Sequence, residues 1–398
     1  MNIENPLLFI EINETNYAFI AGKYDGNQNL KISEKIIVES EGFNKKKFIN
    51  IDNASNAIKK NVKIIENKLN YVFKDVTVII DNFDYKCINV SGYKKLNSSQ
   101  LLKENVSYIL NSLKSAIIEN EQHSSILHIF NSNSFLDGTN VENLPIGLFG
   151  DFYNHELTFF LISNNDLKNI NQIFDKSNLH VKKIILKNFC DGTQLIKETY
   201  TETFFKIKIN KNTSNIFFFD KASLRYSENF DFGTEIIFKD IEKICSIEKE
   251  TIINFLSDYC FKSKNFEETE FLNEKYFTKE NYRKIRKKLI IDIAEARIEE
   301  IINIILNKNI NMQSFDRENL NIYISIQDSL ISSNFVDKFN FYLTKHASYD
   351  VIAAKDFKID SFVTNVANLA NYGWKKEAIP MTQTKNSIIT RIFKSIFG

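Results

Sequence analysis

Glycine and proline are scarce in this chain: 398 residues hold 11 of the first and 3 of the second, where average usage gives roughly 28 and roughly 20. No two glycines are adjacent. Collagen, flexible-linker arrays and glycine-rich phosphate cradles are therefore excluded. With 43% hydrophobic and 25% charged residues there is material for packed cores. The length exceeds the roughly 250–300 residues at which a single core stops growing, so two or more domains are expected. A net charge of +1 argues against electrostatic capture of nucleic acid.

Cys87, Cys190, Cys245 and Cys260 are scattered without a Cys-x-x-Cys pair, which predicts buried thiols in a reducing cytoplasm rather than a zinc site or disulfide framework. His123 and His128 stand five apart, poor metal geometry, and His155, His180 and His346 are isolated. No metal site is expected. Residues 1–6 lack the basic region of a signal peptide. No window approaches the roughly 18 uncharged apolar residues of a membrane span, so a cytosolic chain is predicted.

Patterning gives an α/β protein. Strands are predicted at 7–12, 17–23 and 30–33, a helix from 55 to 68 and a buried strand at 76–81, followed by a strand at 87–90, a helix at 99–119 and strands at 125–130 and 156–162. A helix at 165–176, a strand at 181–186 and a short helix at 192–199 complete the first half. Strands at 203–209, 215–219 and 224–230 reopen the pattern. Helices at 236–247, 250–259 and 283–307 come next, then a strand at 321–326, a helix at 335–344, a strand at 349–353 and a helix at 362–372. Residues 373–385 read as irregular, broken by Pro380. The acidic run Glu267–Glu270 and the basic run Arg283–Lys288 read as solvated faces.

Two stretches, with the terminal amphipathic segment 387–398 as a third, carry a family resemblance. Val141-Glu142-Asn143-Leu144-Pro145-Ile146-Gly147-Leu148-Phe149-Gly150, with the strand and helix after it, and Ile291-Asp292-Ile293-Ala294-Glu295-Ala296-Arg297-Ile298-Glu299-Glu300 resemble segments of the FtsA family of bacterial cell-division proteins. The resemblance implies an actin-like two-lobe fold with a small inserted α/β subdomain and a C-terminal amphipathic helix. On this chain that gives a first lobe of 1–83 and 164–200, the inserted subdomain at 84–163, a second lobe of 201–372, a linker at 373–386 and a membrane-targeting helix at 387–398. The family's inserted subdomain is implied in self-association, and its second lobe in gripping the tail of the tubulin-like protein FtsZ. Arg297 is the residue expected to reach that acidic tail.

Where the resemblance implies nucleotide contacts, the residues change. Glycine suits a hairpin turn at a phosphate because a side chain would collide with it. Asn13 stands where the family has glycine in the first hairpin, and Glu14 follows with a carboxylate. After Asp220 the chain passes directly to Lys221-Ala222 without a glycine-rich turn. Gln327-Asp328 replaces a glycine pair after the strand at 321–326. Asn13, Glu14, Asp220 and Gln327 thus mark degraded nucleotide positions, and neither ATP as a cofactor nor ATP turnover is expected.

In the last segment, Ile388, Ile389, Ile392, Phe393, Ile396 and Phe397 fall on one half of a helical wheel, and Thr390, Arg391, Lys394 and Ser395 on the other. Six large apolar groups opposite a basic face predict a helix that lies on a lipid surface. The resemblance then implies a peripheral protein of the inner membrane's cytoplasmic face that anchors FtsZ filaments at the division site and recruits later division proteins. An active actin-like ATPase, or a scaffold similar to the pilus-assembly protein PilM, are the alternatives.

Overall fold

The computed structural model describes residues 5–25, 29–258, 266–312, 315, 320–345, 349–354 and 357–378. Cys260, His346 and the expected membrane helix, with Ile388, Ile389, Arg391, Ile392, Phe393, Lys394, Ile396 and Phe397, lie outside the described residues. The chain divides into two compact units.

Unit 1 opens with an antiparallel meander of β1 (Leu7–Ile12), β2 (Asn16–Tyr24) and β3 (Leu30–Glu39). A small ribbon of β4 (Phe43–Asn44) and β5 (Lys47–Phe48) leads into α1 (Ile51–Leu69). Asn50 caps this helix by accepting from the Asn53 N–H, and Asn70 ends it in the left-handed region. Its buried apolar face is Ala54, Ala57, Ile58, Val62 and Ile65. β6 (Asp75–Ile80) then runs parallel to β1, buried at every position after the first, as a strand covered on both faces requires.

The inserted elements form their own sheet. They are β7 (Tyr85–Gln100), α2 (Lys103–Asn120), β8 (Ser124–Leu136), β9 (Thr139–Val141) and β10 (Phe149–Ser163), in the strand order β7-β10-β8-β9. Gly92 lets α2 lie close, since a Cβ there would come within 2.7 Å of an Ile109 methyl. α3 (Asn164–Lys176), β11 (His180–Leu186) and α4 (Lys187–Thr199) return to the first sheet, whose order is β11-β6-β1-β2-β3.

Unit 2 repeats this plan. β12 (Phe204–Ile209), β13 (Ser214–Asp220) and β14 (Ser223–Phe230), whose connecting turn and first residues, Lys221–Arg225, group with unit 1, are followed by α5 (Glu235–Cys245), α6 (Lys249–Asp258) and α7 (Lys287–Ile302), the last continuing as a π-helix over Asn303–Asn307. β15 (Leu320–Ile326), α8 (Ser329–Thr344) and β16 (Tyr349–Ala353) complete the sheet β14-β13-β12-β15-β16. In both sheets the first strand pairs antiparallel with the second and parallel with the fourth. The same five-strand topology therefore occurs twice, once per unit.

Several boundaries differ from expectation: β3, β8, β10, α4 and α8 each run longer than predicted, and further differences bear on the architecture. β7 extends to Gln100, so α2 starts at Lys103 rather than Ser99; the Leu102 N–H donates to the Asn105 side chain at 2.8 Å and fixes the start there. The basic run before α7 is not helical, because Arg286 bridges to Phe271. The acidic and basic runs meet: Arg286 and Lys288 pair with Glu268, and Lys287 with Glu270. Finally α9 (Ile359–Tyr372), expected in the second lobe, belongs to unit 1. Its Asn365 donates to the Cys190 carbonyl and Thr193 hydroxyl of α4, and its Thr364 hydroxyl accepts from the Leu30 N–H.

Residues after α9, expected to be irregular, are docked as far as they are described. Glu377 forms an antiparallel bridge with Phe130 of β8. The Asn131 N–H donates to the Lys376 carbonyl at 2.7 Å, and the Ala378 N–H to the Ile129 carbonyl at 2.7 Å. An edge strand left its backbone groups open, and this strap satisfies them.

Candidate functional site

The turn between β1 and β2 is the first place where the actin-like fold would meet a phosphate. Here it is closed on itself. Asn13 Oδ1 accepts the Thr15 N–H at 2.9 Å, the Thr15 hydroxyl at 2.8 Å and the Asn16 N–H at 2.8 Å. The Asn13 N–H donates to the Asn16 carbonyl. The backbone donors of Asn13, Thr15 and Asn16 are thus satisfied within the turn, as asparagine side chains do by mimicking a backbone turn. Glu14 points its carboxylate at its own unit: Oε1 accepts the Lys45 N–H at 2.9 Å and Oε2 the Asn82 amide at 3.2 Å.

Beside the turn lies a partly buried ion pair that spacing did not reveal. Lys187 Nζ, at the start of α4, sits 2.8 Å from Glu11 Oε2 on β1, with only 15% and 16% of the two side chains exposed. The ammonium also rests 3.9 Å from the centroid of the Phe362 ring of α9. Burial disfavours the charge on Lys187, but Glu11, Asp191 and Asp81 more than reverse this and hold it above the ordinary lysine range. The Cys190 thiol beside it is pushed well up by burial, which makes it an inert packing group rather than a nucleophile.

The second hairpin, after Asp220, is a two-residue turn with Lys221 at φ 47° and Ala222 at φ 64°. Both residues sit in the left-handed region that a type I′ turn demands and that asparagine and glycine usually fill. The alanine costs roughly 1–2 kcal/mol there. Ala222 is fully buried, and its carbonyl accepts the Trp374 indole N–H at 2.7 Å. The third position is a strand-to-helix link. The Gln327 N–H donates to the Ile209 carbonyl, Gln327 itself is exposed, and Asp328 caps α8 by accepting the Ile331 N–H at 2.9 Å. Asparagine and aspartate thus hold the first and third turns by local bonding, and the second turn is fastened by the distant Trp374.

Arg297 lies on α7, where it pairs with Asp240 of α5 and with Glu300. Its neighbours are engaged too: Glu295 with Lys338 at 2.7 Å and Glu299 with Lys345 at 2.7 Å, both on or beside α8. The matched stretch therefore braces three helices of unit 2.

Two histidines, His128 and His155, are buried in packing. His155 is buried, its Nδ1 2.7 Å from the Tyr153 hydroxyl and its Nε2 3.0 Å from Asn131 Oδ1. Burial, aided by Lys376, lowers its pKa to about 4. His128 Nδ1 meets Glu377 Oε1, and Lys183 Nζ approaches Oε2 of the same carboxylate at 3.4 Å. Among the described residues no group of three acidic, histidine or cysteine side chains is placed to hold a metal. No helix among them is long and apolar enough to cross a membrane.

No family model matches the sequence. Similarity to individual proteins is clearer. The chain is 24% identical over 313 residues to the cell division protein FtsA of Buchnera aphidicola subsp. Schizaphis graminum, covering 76% of this chain and 73% of that protein. It is 21% identical over 312 residues to FtsA of Buchnera aphidicola subsp. Acyrthosiphon pisum, with the same coverage. Among solved structures, the PilM-PilN type IV pilus biogenesis complex holds a chain that superposes with a TM-score of 0.53 at 9% identity, covering 92% of this chain and 98% of that one. That likeness establishes the fold alone. Taken with the duplicated five-strand topology and the inserted sheet, these similarities make the chain a divergent FtsA-like protein with the actin-like fold.

Proposed function

We propose that the protein is a bacterial cell-division scaffold that fastens FtsZ filaments to the cytoplasmic face of the inner membrane and brings later division proteins to the division site, without ATP turnover. The observation that carries this reading is the similarity to FtsA across three quarters of the chain. The fold by itself would serve a PilM-like pilus scaffold equally well. Absence of turnover is supported by the first hairpin, whose N–H groups are spent on Asn13 and Asn16 and whose Glu14 would repel a phosphate. Lipid attachment is assigned to the apolar face of Ile388, Ile389, Ile392, Phe393, Ile396 and Phe397, flanked by Arg391 and Lys394. Arg297 is proposed to meet the FtsZ tail, whose carboxylates would compete with Asp240 and Glu300 for its guanidinium.

Co-sedimentation with anionic phospholipid vesicles and polymerised FtsZ tests this reading. The full chain should carry FtsZ into the vesicle pellet, whereas a 1–386 truncation should leave it behind. Equal pelleting of the two proteins removes the anchor, and FtsZ that follows neither removes the partner.

A further inference from the structure

The inserted sheet carries an apolar surface that no described residue of unit 1 covers. In the loop between β9 and β10, Leu144, Ile146 and Leu148 are exposed, Leu148 at 53%, and so is Phe149 at the start of β10, at 68%. The loop is pinned to the start of α2: the Leu101 N–H donates to the Leu148 carbonyl and the Gly147 N–H to the Leu101 carbonyl, each at 2.8 Å. Leu102, half exposed, is thereby added to the same patch. Contiguous exposed apolar groups of this kind mark an interaction site rather than ordinary surface.

The strap after α9 brings the rest of the chain to this loop. Lys376 Nζ donates to the carbonyl of Glu142, at the loop's beginning, at 3.2 Å. Twenty residues follow Ala378 in the sequence. The eight from 379 to 386 can span at most about 28 Å when extended, more than enough to bring residue 387 back past Lys376 to the loop. Charge agrees with this. Residues 137–152 hold Asp137, Glu142 and Asp151 and no lysine or arginine, whereas 385–398 hold Lys385, Arg391 and Lys394 and no acid.

We propose that, in the absence of a membrane, segment 387–398 seats its apolar face on the patch formed by Leu102, Leu144, Ile146, Leu148 and Phe149. The inference rests on the anchor reading above and adds its regulation. One face of the segment cannot lie on lipid and on this patch together, so membrane binding uncovers the patch and patch binding holds the anchor back. If the docked form holds nine-tenths of the molecules, apparent lipid affinity falls about tenfold.

Hydrogen exchange of the full chain and the 1–386 truncation, both free of lipid, reads the docking directly. Amides of residues 142–152 should exchange more slowly in the full chain, and identical exchange overturns the proposal. Protection that grows with protein concentration assigns the patch to a second copy and likewise overturns it. Vesicle co-sedimentation of the surface variants Phe149→Ser and Leu148→Ser gives the second arm: both should bind anionic vesicles several-fold more tightly than the unaltered chain, and unchanged affinity counts against the competition. A full chain that shows the protection yet binds no vesicles keeps the docking and removes the anchor, so the two readings fail separately.

Discussion

His128 Nδ1 lies 2.9 Å from Glu377 Oε1, joining the middle of β8 to the strap that follows α9 across 249 positions of sequence. The Leu186 N–H approaches the other ring nitrogen at 3.4 Å, so the imidazole ties β8, β11 and the strap together.

Replacing Glu377 with alanine should release that strap. We expect a loss of about 2 kcal/mol in urea denaturation, the size of an unpaired buried polar group. Exchange at the amides of Asn131 and Ala378, which the strap protects, should quicken. If those two amides keep their protection, the carboxylate is not what holds the strap.

Acid should weaken the fold through His155 first. Its pKa of about 4, against an ordinary 6.5, means that the folded state keeps the ring neutral while the unfolded chain takes up a proton. Stability should therefore fall as pH drops from 6.5 toward 4, by up to about 3 kcal/mol. Glu377 acts later. Burial raises its pKa, but the hydrogen bond and charge of His128 and the charge of Lys183 leave it below the ordinary value. Its contribution is present above the unfolded-state pKa and lost as pH falls through the folded one. Urea midpoints at neutral and mildly acid pH should separate the unaltered chain from His155→Gln, whose stability should be flatter over the first interval.

The Glu11–Lys187 pair predicts a non-additive pair of substitutions. Lys187→Met alone leaves a partly buried carboxylate without its cation and should cost about 1–3 kcal/mol. Adding Glu11→Leu should restore much of that loss, because a well-packed apolar pair is often no worse than the ions it replaces. A double variant as unstable as the sum of the single ones would contradict this.

Magnesium-ATP at millimolar concentration should leave the melting temperature unchanged. A ligand present at 100 times its Kd would add about 2.7 kcal/mol of stability, a readily measured shift. Asn13→Gly should cost about 1 kcal/mol by freeing the Thr15 and Asn16 N–H groups. Alone it should not create binding, since the Glu14 carboxylate stays on Lys45 and Asn82. A nucleotide-dependent rise in melting temperature for the unaltered chain would overturn the proposal of an empty site.

Much of the fold was legible because periodicity reports burial. β6 is apolar at four of its six positions and α1 on one stripe, and both lie within a few residues of where spacing puts them. β7 was shortened because its Lys94, Lys95 and Ser98 belong to an exposed strand, where the polar alternation resembles a turn. At the candidate site the change from glycine to Asn13 was visible. What Asn13 does instead was not visible, since it depends on an oxygen reaching two N–H groups of a folded turn. Long-range pairs such as Glu11–Lys187 and His128–Glu377 join residues 176 and 249 positions apart, and no local pattern encodes them.

The Trp374–Ala222 bond gives the molecule a built-in optical reporter. The chain has a single tryptophan, and its indole N–H is held by the carbonyl of the second hairpin turn. Its emission therefore speaks for one place only: any ligand, partner or pH that opens that turn or lifts the strap must move the indole from a fixed carbonyl toward water. The spectrum should shift to the red without any label having been added.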